Sequence, residues 1–215
     1  MITKRKVGVQ IKLKIMKNNY KHGITLIVYC LFSLGQVVVA QSTYVIGDSK
    51  SNDMKLSGTS SLHDWEMNAQ AFTGKAQFDF KKDDNQTLVG LSSLTFSLPV
   101  TNLKSDKKGL DKNAYEALKT DKHKSIMYSL SSAKVSAEKD HKFLIKTTGN
   151  LTISGTTREV AMNVYCVVNN DATITCTGTE SLKMSDYEVE PPSFLFGAMK
   201  TGDAVTLDFI LVYKN

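Results

Sequence analysis

The sequence predicts an all-β, antiparallel domain with one short helix inserted, and three observations predict it. Apolar residues alternate with polar ones at period two over most of the chain after Gln41. Turn residues punctuate these runs at short intervals. One segment alone, residues 106–120, changes to helical spacing. The alternation is clearest over 149–164, GNLTISGTTREVAMNV. There Leu151 and Ile153 precede a Ser-Gly-Thr-Thr turn, and Val160, Met162 and Val164 follow it, with polar or small residues between them. Two such runs around a Gly-containing turn describe adjacent antiparallel strands, each with one apolar face.

The other elements follow in order. Ser42 to Asp48 opens the domain, and Met54 to Leu62 continues it with small and β-branched residues. His63 to Phe72 and Gly74 to Phe80 make the next pair, with Phe78 and Phe80 on one face. After a polar turn over 81–86, Leu88 to Val100 places Leu94, Phe96 and Leu98 at period two. In DKKGLDKNAYEALKT, Leu110, Ala114, Tyr115, Ala117 and Leu118 fit a helix near Asp111 to Leu118, with Asp111 as N-cap. Ile126, Tyr128 and Leu130 restart strand periodicity, followed by Phe143 to Thr148 and the hairpin. Ser181 to Met184, a loop, and Val205 to Tyr213 end the chain. Alternation of this kind fits a sandwich or a closed barrel equally.

Residues 1–40 read as a secretory leader. Lys17 and Lys21 precede the apolar run 24–39, and Val38-Val39-Ala40 supplies small residues for cleavage between Ala40 and Gln41. Met16 reads as the natural start, because Met1 gives an unusually long leader. The run is somewhat short for an uncleaved anchor, which needs about 20 apolar residues. Bulky Tyr29 before Cys30 argues against lipidation. The expected mature domain is 41–215, periplasmic or secreted, with no membrane span once the leader is removed.

Removing the leader changes the charge. Residues 1–40 hold seven of the 27 basic residues and none of the 21 acidic ones. The remainder keeps 20 basic against 21 acidic residues, so the precursor's net +6 becomes −1. A nearly neutral domain lacks the clustered basic face that nucleic acid requires. The lysines at 104, 107, 108 and 112 are interrupted by Asp106 and Asp111 and read as a solvated surface. The mature residues can bury a sizeable core in one domain, and the sequence leaves oligomeric state open, a homodimer included.

Cys166 and Cys176 flank the turn residues Asn169, Asn170 and Asp171, and their positions average to 171. Simple hairpin pairing therefore sets them opposite each other, with Cβ atoms about 4.5–5.5 Å apart, close to disulfide reach. In an exported protein the pair is expected to form a cross-strand disulfide; reduced, buried thiols are the alternative.

Four stretches together resemble one family. The hairpin "G.LTI.G.T..V...V" is similar to the signature of the YceI-like proteins. SGTSSLHDWEM (57–67), LKSDKKGLDKNAYEALKTDKHKSIMY (103–128) and FLFGAMKTGDAVTLDF (194–209) resemble further segments of that family, in the same order. The resemblance implies a lipocalin-like antiparallel β-barrel of about eight strands. It also implies an apolar interior that holds a long isoprenoid-type, quinone-like or fatty chain. The expected partner is thus an amphiphilic lipid, with no other cofactor.

On that reading the candidate lining is the apolar members of the alternating strands: Phe78, Phe80, Phe96, Leu98, Phe143, Ile145, Ile153, Val164, Phe209 and Leu211. Phe194, Phe196 and Met199 lie in a Gly-containing segment suited to a lid or plug. Apolar strand faces also build ordinary packed cores, so a structural module of the envelope with a filled interior is the competing expectation. Catalysis is not expected. Adjacent His63 and Asp64 point to opposite faces of a strand, and His123 and His141 stand in Lys-rich loops without ligand partners. HExxH, CxxC, Gly-x-Ser-x-Gly and phosphate-loop motifs are missing. Glu188 and Glu190 invite comparison with a glycosidase pair, but that chemistry depends on a separation sequence does not fix.

Overall fold

Alternating sequence becomes strand wherever its apolar face finds a neighbour to cover it. In a computed structural model, which describes residues 41–47, 50–138, 142–194 and 199–215, the described residues form twelve strands and one α-helix. These are β1 (Gln41–Ile46), β2 (Asp53–Ser60), β3 (Trp65–Ala69), β4 (Thr73–Lys81), β5 (Asp84–Pro99) and β6 (Leu103–Lys104). Helix α1 (Lys108–Ala117) follows, and then β7 (Ser125–Ala137), β8 (Lys142–Ile153), β9 (Thr156–Val168), β10 (Ile174–Lys183), β11 (Ser193–Phe194) and β12 (Met199–Lys214). The expected leader, its cleavage point and the Met16 start lie outside the described residues, as do His141 and Phe196.

The strands close on themselves. Hydrogen-bonded neighbours run β1-β4-β5-β7-β8-β9-β10-β12, and β12 returns to β1 through Val45 opposite Lys214 and Ile46 opposite Tyr213. The expected antiparallel, lipocalin-like architecture is therefore a ring of eight strands. Closure is possible because β12 is paired along both edges. β10 takes one edge from Ala204 to Tyr213, while β2 and then β1 take the other. Register shifts between β4 and β5, and between Thr201 and Val205 on β12, let strands bend into the ring. β2, β3 and β6 continue the sheet beside β12.

Local chemistry sets the turns. Ser154 and Gly155 both have positive φ, 49° and 83°, and join Ile153 to its partner Thr156. A two-residue loop with both central residues in that region matches the right-handed twist of a hairpin. The polar turn expected over 81–86 contracts to Lys82 and Asp83, with Lys81 opposite Asp84. The strand expected to stop at Thr148 runs on to Ile153, because Gly149 stays in the ladder opposite Leu130 and Val160.

The helix begins earlier than its sequence suggests. It starts at Lys108, and Asp111 lies inside it rather than capping it. Oδ1 of Asp111 accepts hydrogen bonds from the backbone N–H (2.7 Å) and hydroxyl (2.8 Å) of Ser105, and Lys104 stands 3.8 Å from Oδ2. Burial alone would push this carboxyl up, but the Ser105 bonds and Lys104 outweigh it and hold the group below its ordinary value. Ser105 in turn contacts Lys107 N and O, so the first turn is organised from the preceding loop.

Successive rows of inward residues cross the ring. The row Phe143, Cys166, Cys176 and Leu211 is continuous from β8 to β12. Around it lie Tyr44, Phe78 and Tyr213, whose rings meet edge-to-face at 5.4 and 5.6 Å between centroids. These side chains form the floor of the interior, and burial drives the Tyr213 phenol far above its ordinary value. Cys166 and Cys176 are directly opposed, with Cα atoms 4.2 Å apart, and are joined as a disulfide.

That bond clips a hairpin with a sequence separation of 10. Its reduction should cost about 2–3 kcal/mol of stability on loop-entropy grounds, read as a lower urea midpoint for reduced than for oxidised protein. An unchanged midpoint would show that the hairpin ladder alone carries this end.

A lipocalin-like apolar cavity as the candidate functional site

Moving away from the disulfide, the inward rows line a cavity. The next row is Ile145, Val164, Gly178, Phe209 and Met54, and the Phe209 ring lies over Gly178. Beyond it, Glu180, Leu207, Leu56 and Met67 form one row, and Leu182, Val205, Gly58 and Trp65 the next. These rows enclose a cavity of about 250 Å³, near the low edge of the roughly 300–1,000 Å³ usual for small-molecule sites. Its surface is almost wholly apolar.

Three glycines shape the wall by admitting aromatic rings across the neighbouring strand. A Cβ on Gly178 would fall 2.4 Å from Cζ of Phe209, and one on Gly58 would meet the Trp65 indole. A Cβ on Gly149 would fall 2.4 Å from the Tyr128 hydroxyl and 2.6 Å from the backbone O of Ser129. Phe209, Trp65 and Tyr128 all line the cavity. Trp65 is further fixed by Nε1–H donating to Thr59 O at 3.1 Å. Glycine here buys lateral room for flat rings, so the cavity is bounded by rigid aromatic faces.

Helix α1 covers one end. Leu110, Asn113, Ala114, Ala117 and Leu118 line the cavity, and their spacing is one face of an amphipathic helix. Tyr115 points elsewhere, its hydroxyl at 3.0 and 2.9 Å from the carbonyls of Thr101 and Leu103, which ties the helix to the strand it follows. A 3₁₀ turn over Met184–Tyr187 sits at the same end and adds Met184, Tyr187 and Val189 to the lining. Asp203 holds this turn by accepting from Ser185 N–H (2.8 Å) and Oγ (2.6 Å), and Arg158 Nε donates to Asp186 O at 2.7 Å. Lys119 Nζ reaches Glu188 O at 3.3 Å, linking the helix end to the turn.

Polar groups in this lining are few. Tyr128 Oη is buried without a hydrogen-bond partner of good geometry, and burial raises its pKa against a weak opposing effect of the Thr147 hydroxyl. Glu180 points inward from the alternating face Ile174, Cys176, Gly178, Glu180, Leu182, and burial raises its carboxyl above the ordinary value. Burial likewise raises the Tyr187 phenol, with the charges of Asp186 and Glu180 adding to the effect.

The structure brings together eight of the sequence candidates around the cavity: Phe78, Phe96, Leu98, Ile145, Ile153, Val164, Phe209 and Leu211. Phe143 lies in the row at the disulfide end and is not part of the lining. Phe80 sits beyond a β4 register shift, tilted against Tyr44 at 6.1 Å, and is also core packing. For Phe194 and Met199 the backbone pairs as β11 with β12, while their side chains, like all of Phe196, lie outside the described residues. Sequence reasoning missed Trp65, Met67, Glu180, Tyr187 and the α1 stripe as lining. The stripe's spacing was visible, and Glu180 stands at an inward position of its period-two run.

The other candidates are elsewhere. His63 is exposed, with Nδ1 2.8 Å from Asp64 O, in a polar surface groove. Glu188 and Glu190 are exposed and neither lines the cavity. No group of three or more His, Cys, Asp or Glu among the described residues could hold a metal ion. No helix among them is long and apolar enough to cross a membrane.

A closed antiparallel ring around an apolar cavity, with a helix across its end, defines the lipocalin-like class of hollow β-proteins. Within it the chain belongs to the YceI-like family, whose domain model matches residues 44–213. Solved structures share the fold at low identity. A polyisoprenoid-binding domain from Saccharophagus degradans, implicated in plant cell wall breakdown, is 10% identical, with a TM-score of 0.58 over 81% of this chain and 98% of its own. Burkholderia cenocepacia BcnA is 19% identical, with a TM-score of 0.57 over 75% of this chain and 95% of its own. A Campylobacter jejuni YceI protein is 15% identical, with a TM-score of 0.52 over 69% and 84%. Curated proteins gave no match.

Two measurements test this wall. Gly149→Ala forces a methyl against a backbone carbonyl as well as the Tyr128 ring, and should cost about 1–3 kcal/mol, seen as a lower urea midpoint at unchanged slope. Glu180 has a folded pKa above its unfolded one, so its ionised form weakens the fold at pH above the ordinary value of 4.5. Glu180→Gln should raise Tm near neutral pH, and the gain should fade as pH falls below that value. A gain equal at both pH values would place its origin outside the carboxylate's charge.

Proposed function

We propose that this protein is an exported, non-catalytic carrier that holds the chain of an isoprenoid-type or fatty amphiphile in its cavity, in the periplasm or outside the cell. One observation carries the reading: the ring encloses a cavity of about 250 Å³ whose walls are almost wholly apolar. A filled core would place side chains there. The volume suits a single slender tail, which gains roughly 25 cal/mol for each Å² of apolar surface taken out of water. Family membership and the polyisoprenoid-binding domain of similar fold support the same reading. His63, His123, Glu188 and Glu190 do not line the cavity, which supports carriage rather than turnover.

The way in is the end covered by α1 and the turn at 184–187. Ala114 faces the cavity from the helix, away from the strand ladders. Organic extraction of the purified protein should release a long-chain lipid, identified by mass spectrometry, and the stripped protein should take up a fluorescent fatty-chain probe. Ala114→Trp should reduce that uptake about tenfold or more by filling the mouth, with the circular dichroism of the strands unchanged. Stripped wild-type protein that takes up no apolar chain would overturn the proposal.

A further inference from the structure

Three polar groups of the cavity, Glu180, Tyr187 and Asn113, stand at its covered end, and Glu180 is the one acidic side chain of the lining. β10 is paired with β9 from Ile174 to Gly178 and parts from it beyond that point, while its pairing with β12 continues to Lys183. Glu180 therefore projects inward where the wall opens, opposite Leu207 and close enough to Tyr187 for its charge to act on the phenol. Glu180, Tyr187 and Asn113 all line the cavity, from β10, the 3₁₀ turn and α1. No side-chain hydrogen bond or ion pair to another described residue satisfies any of the three. A carboxylate left in this state on an apolar wall costs stability unless a ligand supplies the donor.

The nearby cations bond groups other than Glu180. Arg158 donates to Asp186 O and Lys119 to Glu188 O, and neither lines the cavity. Lys183 reaches the lining from the end of β10, is exposed, and lends its charge to the Asp203 carboxylate. Among the described residues no lysine or arginine forms an ion pair with Glu180, so this carboxylate, the one acidic side chain of the lining, meets an entering head group without a direct partner.

We infer that Glu180 determines head-group specificity: the cavity accepts amphiphiles whose head donates hydrogen bonds or is cationic (a hydroxyl, amide or ammonium), and discriminates against phosphate and carboxylate heads. This rests on the lipid-carrier reading and adds the polarity of its ligand. Tyr187 and Asn113 can serve the remaining hydrogen bonds of a neutral head, whereas an anionic head would stand beside a like charge.

The test compares saturated chains of one length with ammonium, hydroxyl, amide, carboxylate and phosphate heads. Each competes with the fluorescent fatty-chain probe on stripped full-length protein, below the aggregation limit and near neutral pH. Ammonium, hydroxyl and amide heads should displace the probe about tenfold or more better than carboxylate and phosphate. Glu180→Gln, which keeps shape and removes charge, should narrow that gap about tenfold, and Glu180→Leu should still bind chains without sorting their heads. Indifference to the head in wild-type protein, a preference for anions, or the same gap in Glu180→Gln overturns the role of Glu180 while leaving the carrier reading intact. Failure of every head to displace or bind overturns both.

Discussion

The double pairing of β12 is the constraint on which the rest depends. A sheet edge left open exposes unpaired N–H and C=O groups, and a closed ring removes it. Here the last strand of the chain accepts β10 on one side and β2 then β1 on the other, so closure waits for the C-terminal residues. Once the ring is shut, every inward side chain shares one interior. How large those side chains are at each level then decides whether that level is solid or hollow.

The two halves of the ring answer that question differently. At the disulfide end, phenylalanine, tyrosine and cystine fill the section, and Tyr44, Phe78 and Tyr213 lock it through edge-to-face contacts. Towards α1, glycines at 178, 58 and 149 stand in the inward rows, and the aromatic rings beside them lie across the wall instead of pointing to the centre. The same apolar composition therefore closes the cavity at one end and walls it towards the other. A cavity needs a rigid boundary, since close-packed interiors otherwise collapse on voids. Flat rings pinned over glycines and the anchored floor supply one, and the tethers of Tyr115, Lys119 and Asp203 fix the cover.

Such a cavity holds few polar groups. Tyr128 is buried in the wall, while Glu180, Tyr187 and Asn113 collect at the covered end. The proposed selectivity thus rests on groups at one end of the cavity, and the proposed affinity on its apolar walls.

Period-two alternation was enough to read the antiparallel strands, because inward and outward faces must alternate wherever one side is buried. Turn chemistry placed Ser154-Gly155, and symmetry about residue 171 placed Cys166 opposite Cys176. The amphipathic spacing of 110–118 was visible as a helix, although its start was not, since Ser105 organises the first turn from outside it. Sequence could not say which apolar residues line space and which fill it. Phe143 and Ile145 have the same pattern and differ by one row of the ring, and Phe80 is diverted by a register shift. Nor could sequence show that Gly178 and Gly149 make room for the Phe209 and Tyr128 rings, because that follows from which ring lies opposite them. Local periodicity determined the elements; closure of the sheet, a contact between residues far apart in the chain, decided that they enclose a cavity.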